Sequence, residues 1–111
     1  MDRRDLARAY YDAIDDGEYD RLRGLLADDL RQDRGDRTFE SADAFVRFMR
    51  EDRPDTATTH VVETMYEASD GVAVEGELQR ADGSVMFRFV DTFRFGDGKL
   101  RRLETYTRST D

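Results

Sequence analysis

Three turn signals, Ser69-Asp70-Gly71, Ala81-Asp82-Gly83 and Gly96-Asp97-Gly98, punctuate the second half of this chain between segments of alternating apolar and polar residues. An Asp-Gly pair in that setting is a strong hairpin signal, because a tight turn between twisted strands needs residues that tolerate positive φ. The spacing predicts four strands, at roughly Thr58–Ala68, Val72–Arg80, Ser84–Phe95 and Lys99–Thr107. Joined by hairpins, they form an antiparallel meander. In the second strand Val72, Val74 and Leu78 alternate against Glu75, Glu77 and Gln79, so one face is apolar and the other polar.

The first half has a helical period instead. From Asp5 to Ile14, Leu6, Tyr10 and Ile14 stand one above another, flanked by Ala9 and Ala13, and Asp15-Asp16-Gly17 ends the helix. A second helix is predicted from Glu18 to Asp28, with Tyr19, Leu22, Leu25 and Leu26 on one face. Residues 30–39 are polar and hold Gly35, which reads as a loop with one or two short extended pieces. Ser41 then caps a third helix with Phe45, Phe48 and Met49 as its buried stripe, and Pro54 stops it. Helices first and strands after imply an α+β fold with helices covering one sheet face.

At 111 residues the chain is read as one domain over 1–111, with 12 aromatic side chains for a core. No cysteine is present, which excludes disulfides and thiolate metal sites. No apolar run is long enough to span a membrane, and no apolar segment follows Arg3-Arg4, so a cytoplasmic location is expected. Charged residues make up 40% of the chain, the net charge is −8, and aspartate supplies 18 of 26 acids against a single lysine, Lys99. That bias resembles the proteins of salt-loving archaea and reads as adaptation to high salt. The negative field opposes phosphate backbones, so no nucleic-acid partner is expected.

Asp91 is the most informative polar residue. It falls among Val85, Phe87, Phe89, Phe93 and Phe95 on one face of the third predicted strand. A carboxylate in such surroundings must find a donor or keep its proton. His60, the sole histidine, is a candidate base near neutral pH. One histidine without an acidic spacing motif argues against a zinc or di-metal site. No phosphate loop, nucleophile elbow or dinucleotide fingerprint occurs, so no cofactor is expected.

Three stretches together resemble the NTF2-like superfamily, in particular its SnoaL-like and ketosteroid-isomerase-like branch. They are Tyr10 to Gly17 followed by Ala27-Asp28-Asp29, then Val90-Asp91-Thr92-Phe93-Arg94-Phe95, then Gly96-Asp97-Gly98-Lys99-Leu100 leading to Glu104-Thr105-Tyr106. The resemblance implies a cone, in which a strongly curved antiparallel sheet wraps three helices as in a cystatin-like roll and encloses a pocket. It also implies a homodimer through the outer sheet face, where Met86, Arg88, Val90, Thr92 and Arg94 would lie.

By motif position Asp91 and Tyr10 correspond to the isomerases' two donors to an enolate oxygen. The position of the isomerase base is Arg34, with Asp33 one place earlier. An arginine there cannot abstract a proton, but it can bind an anionic substrate or neutralise Asp91. The epoxide hydrolases of the superfamily carry an arginine two residues before the strand aspartate, where this chain has Phe89. The candidate catalytic set is therefore Asp91, Tyr10, His60 and Asp33, with Arg34, Phe45, Phe48, Met49, Phe87 and Phe89 as the binding wall. Tyr11, Tyr66 and Tyr106 are read as packing residues. Two functions fit: a small apolar or carbonyl-bearing molecule bound at Asp91 and undergoing proton transfer, or a non-catalytic association module.

Overall fold

Asp2 opens the first helix by accepting the Asp5 amide at 2.8 Å, which satisfies one of the amides that a helix start leaves free. In the computed structural model, which describes residues 1–109, helix α1 runs Arg3–Asp15 and helix α2 runs Tyr19–Leu25. Strands β1 (Leu26–Asp33) and β2 (Thr38–Phe39) follow, then helix α3 (Ala42–Arg47), which begins at Ser41 as expected and continues into a π-helical turn at Phe48–Asp52. The long strands are β3 (Thr59–Ala68), β4 (Gly71–Gln79), β5 (Val85–Gly96) and β6 (Lys99–Arg108).

The six strands form one sheet in the order β2-β1-β6-β5-β4-β3. Strands β3 to β6 are the expected meander. At the β5–β6 hairpin, Asp97 (φ 53°) and Gly98 (φ 76°) are the two turn residues, the arrangement that matches the twist of the flanking strands. The first half departs from expectation at residues 26–28, read as helix, whereas the end of β1 and β2 are the short extended pieces expected within residues 30–39. The second helix stops at Leu25, and the next eight residues form a strand that lies parallel to β6, with Gln32 opposite Leu103. Leu26, Leu30 and Gln32 face inward there, and pairing along β6 decides the conformation.

The helices cover the concave face, α1 crossing β3 and β4 while α3 lies on β1. Tyr11, Ile14, Leu22, Phe45, Phe93 and Leu103 are among the side chains buried between the layers. Register shifts between Val62 and Thr64 on β3, Leu78 and Gln79 on β4, and Arg94 and Phe95 on β5 bend the sheet. Gly76 occupies the tightest point, where a Cβ would stand 2.2 Å from the Val61 carbonyl oxygen and 3.1 Å from the Phe89 ring. Among the described residues no helix is long and apolar enough to cross a membrane.

Candidate functional site

A cavity of about 260 Å³ opens between the helices and the concave sheet. Phe45, Phe48, Met49, Phe87 and Phe89 supply much of its apolar wall. Its polar groups converge from separate elements: Tyr10 from α1, Gln32 and Arg34 from the end of β1, and Arg53 and Thr58 from the segment before β3. His60 on β3, Asp91 on β5 and Thr105 on β6 complete them.

Asp91 is 5% exposed and carries two short hydrogen bonds. The Tyr11 hydroxyl donates to Oδ2 at 2.5 Å, and the Thr105 hydroxyl donates to Oδ1 at 2.6 Å. Thr105 in turn accepts the Gln32 side-chain amide at 3.1 Å. Thr105 has one proton and gives it to Asp91, so it must accept from Gln32, which fixes the amide with its NH₂ towards Thr105. Burial pushes the Asp91 carboxyl above its ordinary 3.8, against the opposing pull of Thr105, Tyr11 and the charges of His60 and Arg34. The same burial, with Asp91 beside it, raises the Tyr11 phenol well above 10 and keeps it a donor.

Tyr10, the neighbouring residue, differs. Its ring packs between Phe45 and Phe93, and its hydroxyl has no protein partner among the described residues. Burial and then the Asp91 charge raise its pKa well above 10, while Arg34 and Arg53 pull it back. Tyr10 thus offers the cavity an uncommitted donor.

His60 is held from behind. Its Nδ1 lies 2.6 Å from Asp15 Oδ1, and its backbone amide donates to Asp15 Oδ2 at 2.9 Å. The ring rests against Tyr11 and Phe89, at centroid distances of 4.9 and 5.6 Å. A carboxylate can only accept, so Nδ1 carries the proton, and Nε2 has no protein partner among the described residues. An imidazole fixed in this tautomer has a basic nitrogen free for a ligand. No group of three or more His, Asp or Glu side chains is placed to hold a metal ion among the described residues.

The sequence profile of the SnoaL-like domain matches residues 7–103. The chain belongs to this family. Solved structures share the fold of this SnoaL-like chain at low identity. An NTF2-like protein of unknown function from Cytophaga hutchinsonii superposes with a TM-score of 0.84 at 15% identity, over 97% of this chain and 91% of the other. A Kribbella flavida protein provisionally named a ketosteroid isomerase gives 0.81 at 22% identity, over 98% and 79%. A Sinorhizobium meliloti protein provisionally named a polyketide cyclase gives 0.79 at 21%, over 92% and 94%. No curated protein matches the sequence.

In this SnoaL-like chain the cavity gathers Asp91, Tyr10, His60, Arg34 and the five named apolar residues. Asp33 does not line it; Asp33 Oδ1 accepts the Gly35 amide at 2.9 Å and shapes the turn after β1. The tyrosine hydrogen-bonded to Asp91 is Tyr11, a residue the sequence suggested was packing, rather than Tyr10. Met86, expected on the outer face, lines the cavity, because the shift that pairs Leu78 with Phe87 and Gln79 with Val85 leaves Met86 as an extra residue. Asp15, Gln32, Arg53, Thr58 and Thr105 carried no local signal of a role, since each meets its partner only across the fold.

Proposed function

We propose that this chain, as one SnoaL-like domain over residues 1–111, binds a small apolar, carbonyl-bearing molecule and transfers a proton at the carbon next to the carbonyl, as an isomerase or cyclase does. The observation that carries this reading is the Asp15–His60 pair on a cavity that also holds Tyr10 and Asp91. His60 Nε2 takes a proton from carbon, and Asp15 steadies the imidazolium that forms. Negative charge then collects on the carbonyl oxygen. Tyr10 donates to that oxygen, and Asp91, whose burial favours its protonated form, is the second donor while it still accepts from Tyr11 and Thr105. Return of the proton from His60 to the same or another carbon completes the cycle. Asp33, held to Gly35, has no part in it.

The test is deuterium incorporation next to the carbonyl of small aryl ketones, neutral and carboxylate-bearing, followed by NMR in D₂O. Wild type should exceed background by roughly 10²–10⁴-fold, and His60→Gln should return exchange to background. Equal rates for the two proteins would refute proton transfer by His60.

The outer sheet face supports a second, compatible reading, a homodimer. Val90 lies opposite both Glu75 and Tyr106, and Tyr66 reaches Glu75, so an exposed row of Tyr66, Val90 and Tyr106 crosses four strands. Arg88 pairs with Glu63 on the same face. Val90→Lys should halve the mass measured by light scattering; an unchanged mass would remove this face from the interface. The aspartate-rich surface suits a salt-rich cytoplasm, which we propose as the working environment.

A further inference from the structure

We propose that the ligand of this cavity is an anion, a carbonyl compound that also carries a carboxylate, held by Arg34 and Arg53. The inference rests on the cavity being a binding site and names the chemical class that it accepts.

Arg34 and Arg53 both line the cavity, both are half-buried, and neither has a carboxylate partner among the described residues. That sets them apart from the other half-buried arginines among the described residues, in a chain whose acids outnumber its basic residues 26 to 18. The other two each have an acid: Arg23 bridges Asp28 and Asp43, and Arg88 meets Glu63. The two cavity arginines are instead fixed by neutral groups. Arg53 donates from Nε to the Met49 carbonyl at 3.0 Å and from a terminal nitrogen to the Tyr19 hydroxyl at 3.1 Å. The Arg34 guanidinium stands 5.5 Å from the Phe48 ring centroid. Such anchoring orients a guanidinium without neutralising it, and a half-buried cation without a counter-ion is poised to gain one.

The other titratable groups on the wall do not fill that place. Asp55 turns one oxygen to the Ala57 amide at 2.9 Å, Asp91 is occupied by Tyr11 and Thr105, and His60 is held by Asp15. Two further atoms point to a polar occupant. Thr58 Oγ1 and Gln32 Oε1 are buried, lack any hydrogen-bond partner among the described residues, and belong to cavity-lining residues that are 4% and 2% exposed. Unsatisfied buried groups of this kind are rare unless a ligand or water completes them. The Thr58 hydroxyl is a donor suited to the same carboxylate as Arg53. Gln32 Oε1 is an acceptor, suited to an O–H on the ligand.

The probes are 4-oxo-4-phenylbutanoate and its methyl ester, which share an aromatic body and an enolisable ketone and differ in charge. Affinities for the full chain are measured by titration calorimetry, and binding in the cavity is checked by NMR shifts of Phe87, Phe89 and Met86. We expect the acid to bind roughly 10- to 100-fold tighter than the ester, the range for hydrogen bonds to a charged group. Arg34→Gln, which removes no side-chain hydrogen bond, should narrow the acid–ester gap to a few-fold, and Arg34→Lys should restore part of it. Arg53→Gln should narrow it independently. Acid and ester binding equally well to the wild type would overturn the anion inference and leave the cavity reading intact. So would a gap that survives both substitutions. No shift of cavity residues with either probe at millimolar concentration would overturn both readings.

Discussion

Adjacent tyrosines on α1 should respond oppositely to loss of one oxygen atom. The Tyr11 hydroxyl is buried and donates at 2.5 Å to a carboxyl that is itself 5% exposed. Tyr11→Phe leaves Asp91 with Thr105 as its one donor, and leaving a buried polar group short of a partner costs up to about 3 kcal/mol, at least about 1.5 for two short bonds reduced to one. For a domain of this size that is a fall in Tm of roughly 6–15 °C. Tyr10→Phe deletes a hydroxyl that has no protein partner among the described residues and should stay within about 0.5 kcal/mol of wild type.

The Tyr11→Phe deficit should also depend on pH. Asp91 holds its proton to higher pH when folded than when unfolded, so the folded state binds more protons above 3.8, and stability falls as pH rises through the folded value. The Tyr11 bond is one of the interactions that restrain this rise. Without it the folded pKa climbs further, and the variant loses additional stability towards neutrality. Urea unfolding followed by circular dichroism, at constant salt from about pH 4 to neutrality, measures the effect. Equal losses for Tyr10→Phe and Tyr11→Phe, or a Tyr11→Phe deficit flat with pH, would show that the Asp91 contact does not exist in solution.

Gly76→Ala should cost about 1–3 kcal/mol or more in urea unfolding, because its Cβ meets the Val61 backbone oxygen and the sheet must open to admit it; unchanged stability would mean that the sheet is flatter there. Asp91→Asn should fold, since the amide can still accept from Tyr11 and can donate to Thr105, whereas Asp91→Leu should abolish ligand binding by calorimetry; equal ligand affinity in Asp91→Leu and wild type would remove Asp91 from the site. Removing salt from a molar solution should unfold the chain as repulsion among its acids is unscreened; full stability in dilute buffer by circular dichroism would contradict the high-salt reading.

What could be read from the residues alone was whatever is encoded locally. Hairpin turns, strand alternation and the Asp91 position are periodic or short-range signals, and they located β3 to β6 closely. The start of strand β1 reads as helix because Leu22, Leu25 and Leu26 continue a helical spacing into it, and only β6, far along the chain, makes it extended. Tyr10 stood out because Leu6 and Ile14 share its stripe, yet both tyrosines are buried, and the crossing of α1 over the sheet decides which one meets Asp91. His60 was visible as a lone histidine. Its orientation was not, because Asp15 comes from the last turn of α1, across the fold. Met86 faced the wrong way in a strict alternation because one extra residue in β5 resets the period.

The parallel pairing of β1 with β6 has a consequence for biosynthesis. Leu26 lies opposite Leu100 and Gln32 opposite Leu103, so an early segment lacks its long strand partner until a late one has been translated. Contacts so distant along the chain carry a heavy loop-closure penalty and slow the search for the native state. Until Lys99–Arg108 leaves the ribosome, β1 has only the two residues of β2 to pair with in the sheet, and Asp91 lacks Thr105. Nascent chains arrested before Lys99 should therefore be protease-sensitive along their whole length, acquiring resistance together in a single late step.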